Sequence, residues 1–147
     1  MSIAYFKGVA NWAKVRPDDR DFKYDANGTY TVDLVVDEDV EKEIHACGLQ
    51  LEPKQTEDGK TYYKFRRPHI VEFKDGPKEL GPPKVVDKDN KPYPSTTLVG
   101  NGSEVILKAE IYDTAKGKGH RLQVVKVLNL VEYEKPEVVA GSDIVPF

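Results

Sequence analysis

The residues that could act as nucleophiles, bases or metal ligands are few and scattered in this sequence. The three histidines, His45, His69 and His120, are far apart along the chain, and Cys47 is the only cysteine. A zinc site needs several such ligands close together, and covalent catalysis needs a nucleophile beside a base. Residues 116–119 lack the glycine spacing and the hydroxyl residue of a phosphate-binding loop. The sequence therefore predicts a protein that is not an enzyme and has no metal or cofactor.

Aromatic and basic residues share faces in several segments that have the composition of β-strands. Because side chains alternate along a strand, Trp12 and Lys14 share one face, as do Tyr62, Lys64 and Arg66. The same alternation assigns Tyr63 and Phe65 to the core. Single-stranded nucleic acid is bound by rings that stack on bases and by cations that contact phosphates. The residues predicted to stack on bases are Trp12, Tyr62, Tyr93 and Tyr112, and those predicted to contact phosphates are Lys14, Lys64, Arg66, Lys108, Lys116, Lys118 and Arg121.

Five strands, one short helix and one long loop would have to position these side chains. Apolar alternation and turn signals predict strands at residues 1–15, 29–36, 61–73, 104–113 and 120–133, and Pro68 interrupts the third strand at an edge or a bulge. Asp37 can cap a helix that runs to about residue 46. Glycine, proline and charged residues predict a semi-rigid loop over 74–97. This pattern indicates a mainly β fold, a small closed or partly open β-barrel, with a β-sandwich as the alternative.

Length and composition are those of one soluble domain. The 147 residues are 39% hydrophobic and 32% charged, which is too apolar for a disordered chain. No apolar run approaches the ~20 residues of a membrane-spanning helix, and the first residues do not have the pattern of a signal peptide. Since a single cysteine also fits a reducing compartment, we expect a cytoplasmic protein with no membrane partner.

Charge is distributed unevenly along the chain. The total is −3, but residues 1–59 carry 7 basic and 13 acidic side chains, and residues 60–126 carry 14 basic and 8 acidic ones. Residues 127–147 carry 1 basic and 4 acidic side chains. Affinity for a phosphate backbone depends on nearby lysine and arginine rather than on the total charge. The basic central segment is consistent with a local phosphate-binding surface.

Several segments resemble phage-encoded single-stranded DNA-binding proteins of the T7-like type. The residues that carry the resemblance are the strands at 12–15 and 28–34 and the closing hairpin at 100–105, 112–114, 117–122 and 130–133. The last seven residues, Gly141-Ser142-Asp143-Ile144-Val145-Pro146-Phe147, are similar to the acidic and hydrophobic tip of bacterial and phage single-stranded DNA-binding proteins. Together these segments cover most of the chain except the loop at 74–97.

The resemblance implies an oligonucleotide-binding (OB) fold, a five-stranded partly open β-barrel over residues 1–135, followed by a flexible tail at 136–147. It also implies binding of single-stranded DNA with little sequence preference, which coats and protects single strands during phage DNA replication, recombination and repair in the bacterial host cell. Replication proteins such as a DNA polymerase or helicase would bind the tail, and the resemblance is compatible with a homo-oligomer. The residues expected to bind these partners are Asp143, Ile144, Pro146 and Phe147.

The tail departs from the family pattern in two ways. Only Glu137 and Asp143 are acidic within residues 136–147, and Val145 separates Ile144 from Pro146. Both departures predict weaker docking of partners and weaker competition with DNA for the basic groove than is typical of the family.

Two other functions compete with this interpretation. The first is a non-catalytic β-barrel that binds another protein, such as a scaffold or a host-directed inhibitor, through its basic centre. The second is a nuclease, which would need clustered carboxylates to hold metal ions. Asp18, Asp19 and Asp21 are the candidate carboxylate cluster, and they are typical of a solvated turn. The first alternative predicts no affinity for oligonucleotides.

Overall fold

The computed structural model describes residues 2–16, 19–22, 26–94, 97–115 and 117–131. Nine β-strands and one α-helix occur in these ranges, so the protein is mainly β. In chain order they are β1 (Ser2–Lys14), β2 (Thr29–Val35), α1 (Glu38–Ala46), β3 (Lys54–Gln55), β4 (Thr61–Pro68), β5 (Ile70–Phe73), β6 (Gly76–Glu79), β7 (Lys84–Val86), β8 (Ser103–Thr114) and β9 (Gly117–Asn129).

Seven strands form one curled sheet in the order β3-β4-β2-β1-β8-β9-β7, while β5 and β6 pair separately. All neighbours in the large sheet are antiparallel except β7 and β9, which are parallel. The sheet curls so that β4 comes close to β9, but these two strands are not paired through backbone hydrogen bonds in the described residues. Instead, the Arg66 backbone N–H donates to Nε2 of His120 at 3.0 Å, and the Arg67 guanidinium donates to the Leu122 carbonyl at 3.2 Å. The predicted partly open barrel with one short helix is confirmed.

The core of the barrel follows from period-two alternation in its longest strands. On β8, Val105, Leu107, Ala109 and Ile111 are buried, while the residues between them are partly exposed. Antiparallel pairing with β1 on one side and β9 on the other covers these inward side chains from both edges. The alternation of apolar residues over 104–113 in the sequence predicts the same inward set.

The helix begins and ends where the sequence predicts. The Asp37 carboxylate accepts a hydrogen bond from the Val40 N–H at 2.9 Å, which satisfies a donor of the first turn. Ile44 is fully buried and fixes the inner face of α1, while Gly48 follows the helix with a φ of 77°. No helix among the described residues is long and apolar enough to cross a membrane.

Two expectations about strands are wrong. The segment 74–97, predicted to be a loop, contains β6 and β7, so the described chain has more than five strands. The interruption predicted at Pro68 is present, but the segment after it is a separate strand, because β4 ends at Pro68 and β5 leaves the large sheet to pair with β6. β6 contains Pro77 and is otherwise short and polar, and β7 has only three residues, so neither shows the apolar alternation that marks a core strand.

Candidate nucleic-acid interface

The register of β1, β2 and β4 places basic residues from separate segments side by side. Cross-strand partners in an antiparallel sheet project from the same face about 5 Å apart. Lys14 of β1 and Arg66 of β4 both pair with Thr31 of β2. In the neighbouring row, Lys64 of β4 pairs with Asp33 of β2. Three of the predicted phosphate contacts therefore lie on one outward face, here called the β1-β2-β4 face.

Trp12 lies at an irregularity in this face. The pairing of β1 with β2 shifts between Asn11 and Lys14, and Trp12 has a φ of 50°, which is rare outside glycine. Its backbone N–H donates to Oδ1 of Asn101 at 2.7 Å, a contact that holds the bulge from a turn 89 residues away in the sequence. The indole is 70% exposed. A large aromatic ring is thus presented to solvent beside the basic rows.

Trp12 and Tyr62 line the same cavity of about 400 Å³, here called the Trp12–Tyr62 groove. Tyr62 reaches it from β4, where it pairs with Val35 of β2 and with Lys54 of β3. Trp12 also lines a smaller cavity of about 190 Å³, to which Lys14 contributes. The two predicted stacking residues of this face are therefore connected through the groove, and Trp12 links the groove to Lys14.

A carboxylate lies at the centre of the β1-β2-β4 face. Asp33 is buried between Asn11 and Lys64 in the strand register, and its Oδ1 lies 3.9 Å from Nζ of Lys64. Burial raises the pKa of Asp33, and the charges of Lys64 and Lys54 oppose that shift. Lys64 is therefore shared between this carboxylate and any phosphate that approaches the face.

A second set of predicted site residues lies on β8 and β9, away from the Trp12–Tyr62 groove. The Arg121 guanidinium lies 5.4 Å from the centre of the Tyr112 ring, and Gly119 lies opposite Tyr112 in the strand pair. Lys118 forms an ion pair with Asp113. Tyr112, Arg121 and Lys118 are therefore already engaged with neighbouring groups within the protein.

Lys108 belongs to a different part of the surface from Tyr112. It pairs with Tyr5 of β1, and both line a cavity of about 360 Å³ together with Lys126. The Tyr5 side chain is 59% exposed. This pairing extends aromatic and basic residues onto the outer face of β1 and β8.

The remaining predicted residues do not join either set. Tyr93 packs against the core, its N–H donates to the Val85 carbonyl at 3.0 Å, and its own carbonyl accepts from Arg16 at 3.2 Å. Lys116 and the four predicted tail residues Asp143, Ile144, Pro146 and Phe147 lie outside the described residues.

Buried His120 of β9 connects this strand to β4 through a hydrogen bond with the backbone of Arg66. Since its Nε2 accepts the Arg66 backbone N–H, the neutral ring carries its proton on Nδ1. Burial, with a smaller contribution from the charge of Arg66, lowers the pKa of His120 to about 4. The imidazole is therefore a neutral structural group at physiological pH, and it fixes the backbone that presents Arg66.

This chain is similar to known proteins in its structure. No protein-family model matches the chain, and no curated protein sequence matches it. The crystal structure of gp2.5, a single-stranded DNA-binding protein encoded by bacteriophage T7, aligns with 99% of this chain and 98% of its own, with a TM-score of 0.63 and 19% identity. This chain has the fold of that phage protein.

A second phage protein supports the same architecture. The C-terminally truncated single-stranded DNA-binding protein from bacteriophage Enc34 aligns with 92% of this chain and 88% of its own, with a TM-score of 0.51 and 12% identity. The resemblance noted in the sequence is thereby confirmed as a likeness of fold.

Sequence reasoning missed the polar residues of the Trp12–Tyr62 groove. Asn11, Asn101 and Gln55 line it, yet they come from β1, from the turn before β8 and from the short strand β3. No local pattern links residues so far apart. The sequence could have indicated Tyr5, because period-two alternation puts it on the outward face of β1 together with Ile3 and Lys7.

Proposed function

We propose that this protein binds single-stranded DNA across the β1-β2-β4 face. The observation that carries the proposal is the strand register, which brings Trp12 and Tyr62 into one groove and sets Lys14, Lys64 and Arg66 beside it. Aromatic rings can stack on unpaired bases of any sequence, and the cations follow the phosphates. The fold is shared with two phage proteins whose names describe single-stranded DNA binding.

The proposed biological role is to coat and protect single strands during phage DNA replication and recombination in the cytoplasm of the bacterial host. This role uses binding alone and needs no catalytic group. The barrel at residues 1–135 would hold DNA, and the tail at 136–147 would recruit replication proteins such as a polymerase or helicase. The acidic and hydrophobic composition of the last seven residues supports that division, since a terminal phenylalanine suits an apolar pocket edged by basic residues.

Titration of intrinsic fluorescence tests DNA binding directly, because Trp12 is the only tryptophan. We expect an oligo(dT) of about 30 nucleotides to quench the indole emission to saturation, and a duplex of equal length to quench it much less. If the three cations of the face each neutralise one phosphate, log K should fall with log salt at a slope of about −2, since each contributes about −0.7 on a single strand.

An independent assay is needed because DNA could bind without changing the emission of Trp12. Anisotropy of labelled oligo(dT) should give the same affinity as the fluorescence titration. If neither assay detects binding at low salt, the DNA-binding function is refuted, and the barrel that binds another protein becomes the leading interpretation.

A further inference from the structure

The lining of the Trp12–Tyr62 groove is polar but contains no lysine or arginine. Besides the two rings, it consists of three amides, two carboxylates and one hydroxyl: Asn11, Asn101, Gln55, Asp33, Glu57 and Thr56. Phosphate oxygens are strong acceptors and are repelled by carboxylates, so this chemistry does not suit the DNA backbone. Amides and carboxylates instead match the donor and acceptor edges of bases.

The two asparagines present donors to the groove. Oδ1 of Asn101 accepts the Trp12 N–H, and Oδ1 of Asn11 accepts the Gly102 N–H at 3.2 Å. Each amide oxygen is therefore used in holding the bulge, and the NH₂ group remains to donate to a ligand. The side chains of Gln55 and Tyr62 make no hydrogen bond within the described ranges.

Asp33 supplies the acceptor that complements these donors. Its side chain lines the groove although the residue is only 8% exposed, and its charge partner Lys64 is 3.9 Å away. A buried carboxylate at that distance from its lysine lacks a close hydrogen bond and favours a donor from the ligand. Phosphates carry no donor, whereas the exocyclic amino groups of cytosine, adenine and guanine are donors.

We propose that the Trp12–Tyr62 groove prefers bases that carry an exocyclic amino group, with Asp33 accepting a hydrogen bond from that group. This inference rests on the proposed single-stranded DNA binding and adds a modest base preference to it. In the pose in which the N4 amino group of cytosine donates to Asp33, thymine would place its O4 carbonyl against the carboxylate and keep only its N3–H as a donor. Oligo(dC) should therefore bind more tightly than oligo(dT).

Competition between homopolymers of equal length tests the preference. We expect oligo(dC) to bind about 5- to 10-fold more tightly than oligo(dT), the size of one charge-assisted hydrogen bond in a partly wet site. Replacing the cytosines with 2-pyrimidinone, which lacks the amino group, should abolish that advantage. This ligand change leaves the protein intact, so the test does not depend on whether any variant folds.

The variant Asp33→Asn assigns the effect to the carboxylate. Removing a negative charge should raise affinity for both homopolymers, but the ratio between oligo(dC) and oligo(dT) should fall to about one, because the amide can also donate to thymine. Asp75→Asn, an exposed turn residue between β5 and β6, makes the same change in charge away from the groove and should leave the ratio unchanged.

The outcomes separate the two proposals. Equal binding of oligo(dC) and oligo(dT) by the native protein, or an unchanged ratio in Asp33→Asn, would overturn the base preference while leaving single-stranded DNA binding intact. Absence of binding to every homopolymer would overturn both.

Discussion

Replacing Trp12 with alanine isolates the contribution of the most exposed ring on the β1-β2-β4 face. Stacking of one base on one aromatic ring is worth about 1–3 kcal/mol, which corresponds to a loss of about 5- to 150-fold in affinity. Because the indole is 70% exposed, its removal creates no core cavity. The variant should therefore fold normally and bind oligo(dT) more weakly.

Anisotropy of labelled oligo(dT) at one fixed salt concentration measures this loss, with urea unfolding of the same samples as the check on stability. Trp12→Phe keeps a ring on the same backbone and should recover most of the lost affinity. Phe73→Ala removes a ring that is 43% exposed on β5, outside the Trp12–Tyr62 groove, and should leave binding unchanged.

The backbone at Trp12 could confound the result, since its φ of 50° is unfavourable for any residue with a side chain. Alanine and phenylalanine bear a Cβ as tryptophan does, so all three carry similar strain, and the comparison isolates the ring. An affinity of Trp12→Ala within twofold of the native value would refute the stacking role of Trp12.

Three further changes test other parts of the structure. Lys14→Ala should make the log K against log salt plot shallower by about 0.7, whereas Lys42→Ala, on the exposed side of α1, should not alter the slope. The pKa of His120 is lowered from 6.5 to about 4 in the folded state, so protonation favours the unfolded chain. The neutral, buried ring of His120 contributes fully to stability above pH 6.5, and this contribution of about 3 kcal/mol is lost as the pH falls through 4. The free energy of unfolding of His120→Gln in urea should lack this dependence on pH. Gly8→Ala would place a Cβ 2.3 Å from the Val35 carbonyl oxygen, and should lower the free energy of unfolding by about 1–3 kcal/mol or more in the same assay.

The sequence could predict the face on which a side chain lies wherever a strand is regular. On β4 the alternation put Tyr62, Lys64 and Arg66 outside and Tyr63 and Phe65 in the core, as the structure has them. The same rule put Trp12 and Lys14 on one face, yet the chain between them is irregular and Trp12 is held by Asn101, 89 residues away. Alternation along a single strand cannot predict a contact between residues so far apart in the sequence.

The short strands were beyond prediction for a different reason. β3 and β7 have two and three residues, and they form only because an edge of the sheet is available to pair with them. Their existence decides part of the candidate site, since Gln55 of β3 lines the Trp12–Tyr62 groove. Edge pairing is a tertiary event, so its contribution appears only once the sheet is assembled.

An overall charge of −3 is compatible with DNA binding because the face separates two tasks. Lys14 and Arg66 lie in a row outside the Trp12–Tyr62 groove, where they can hold phosphates, while the groove itself contains acidic residues that would repel them. A duplex can offer this surface only its phosphates, because its bases are paired inward. A single strand can place bases in the groove and phosphates along the basic row at once. The acidic lining therefore favours single strands over duplexes in addition to any choice among bases.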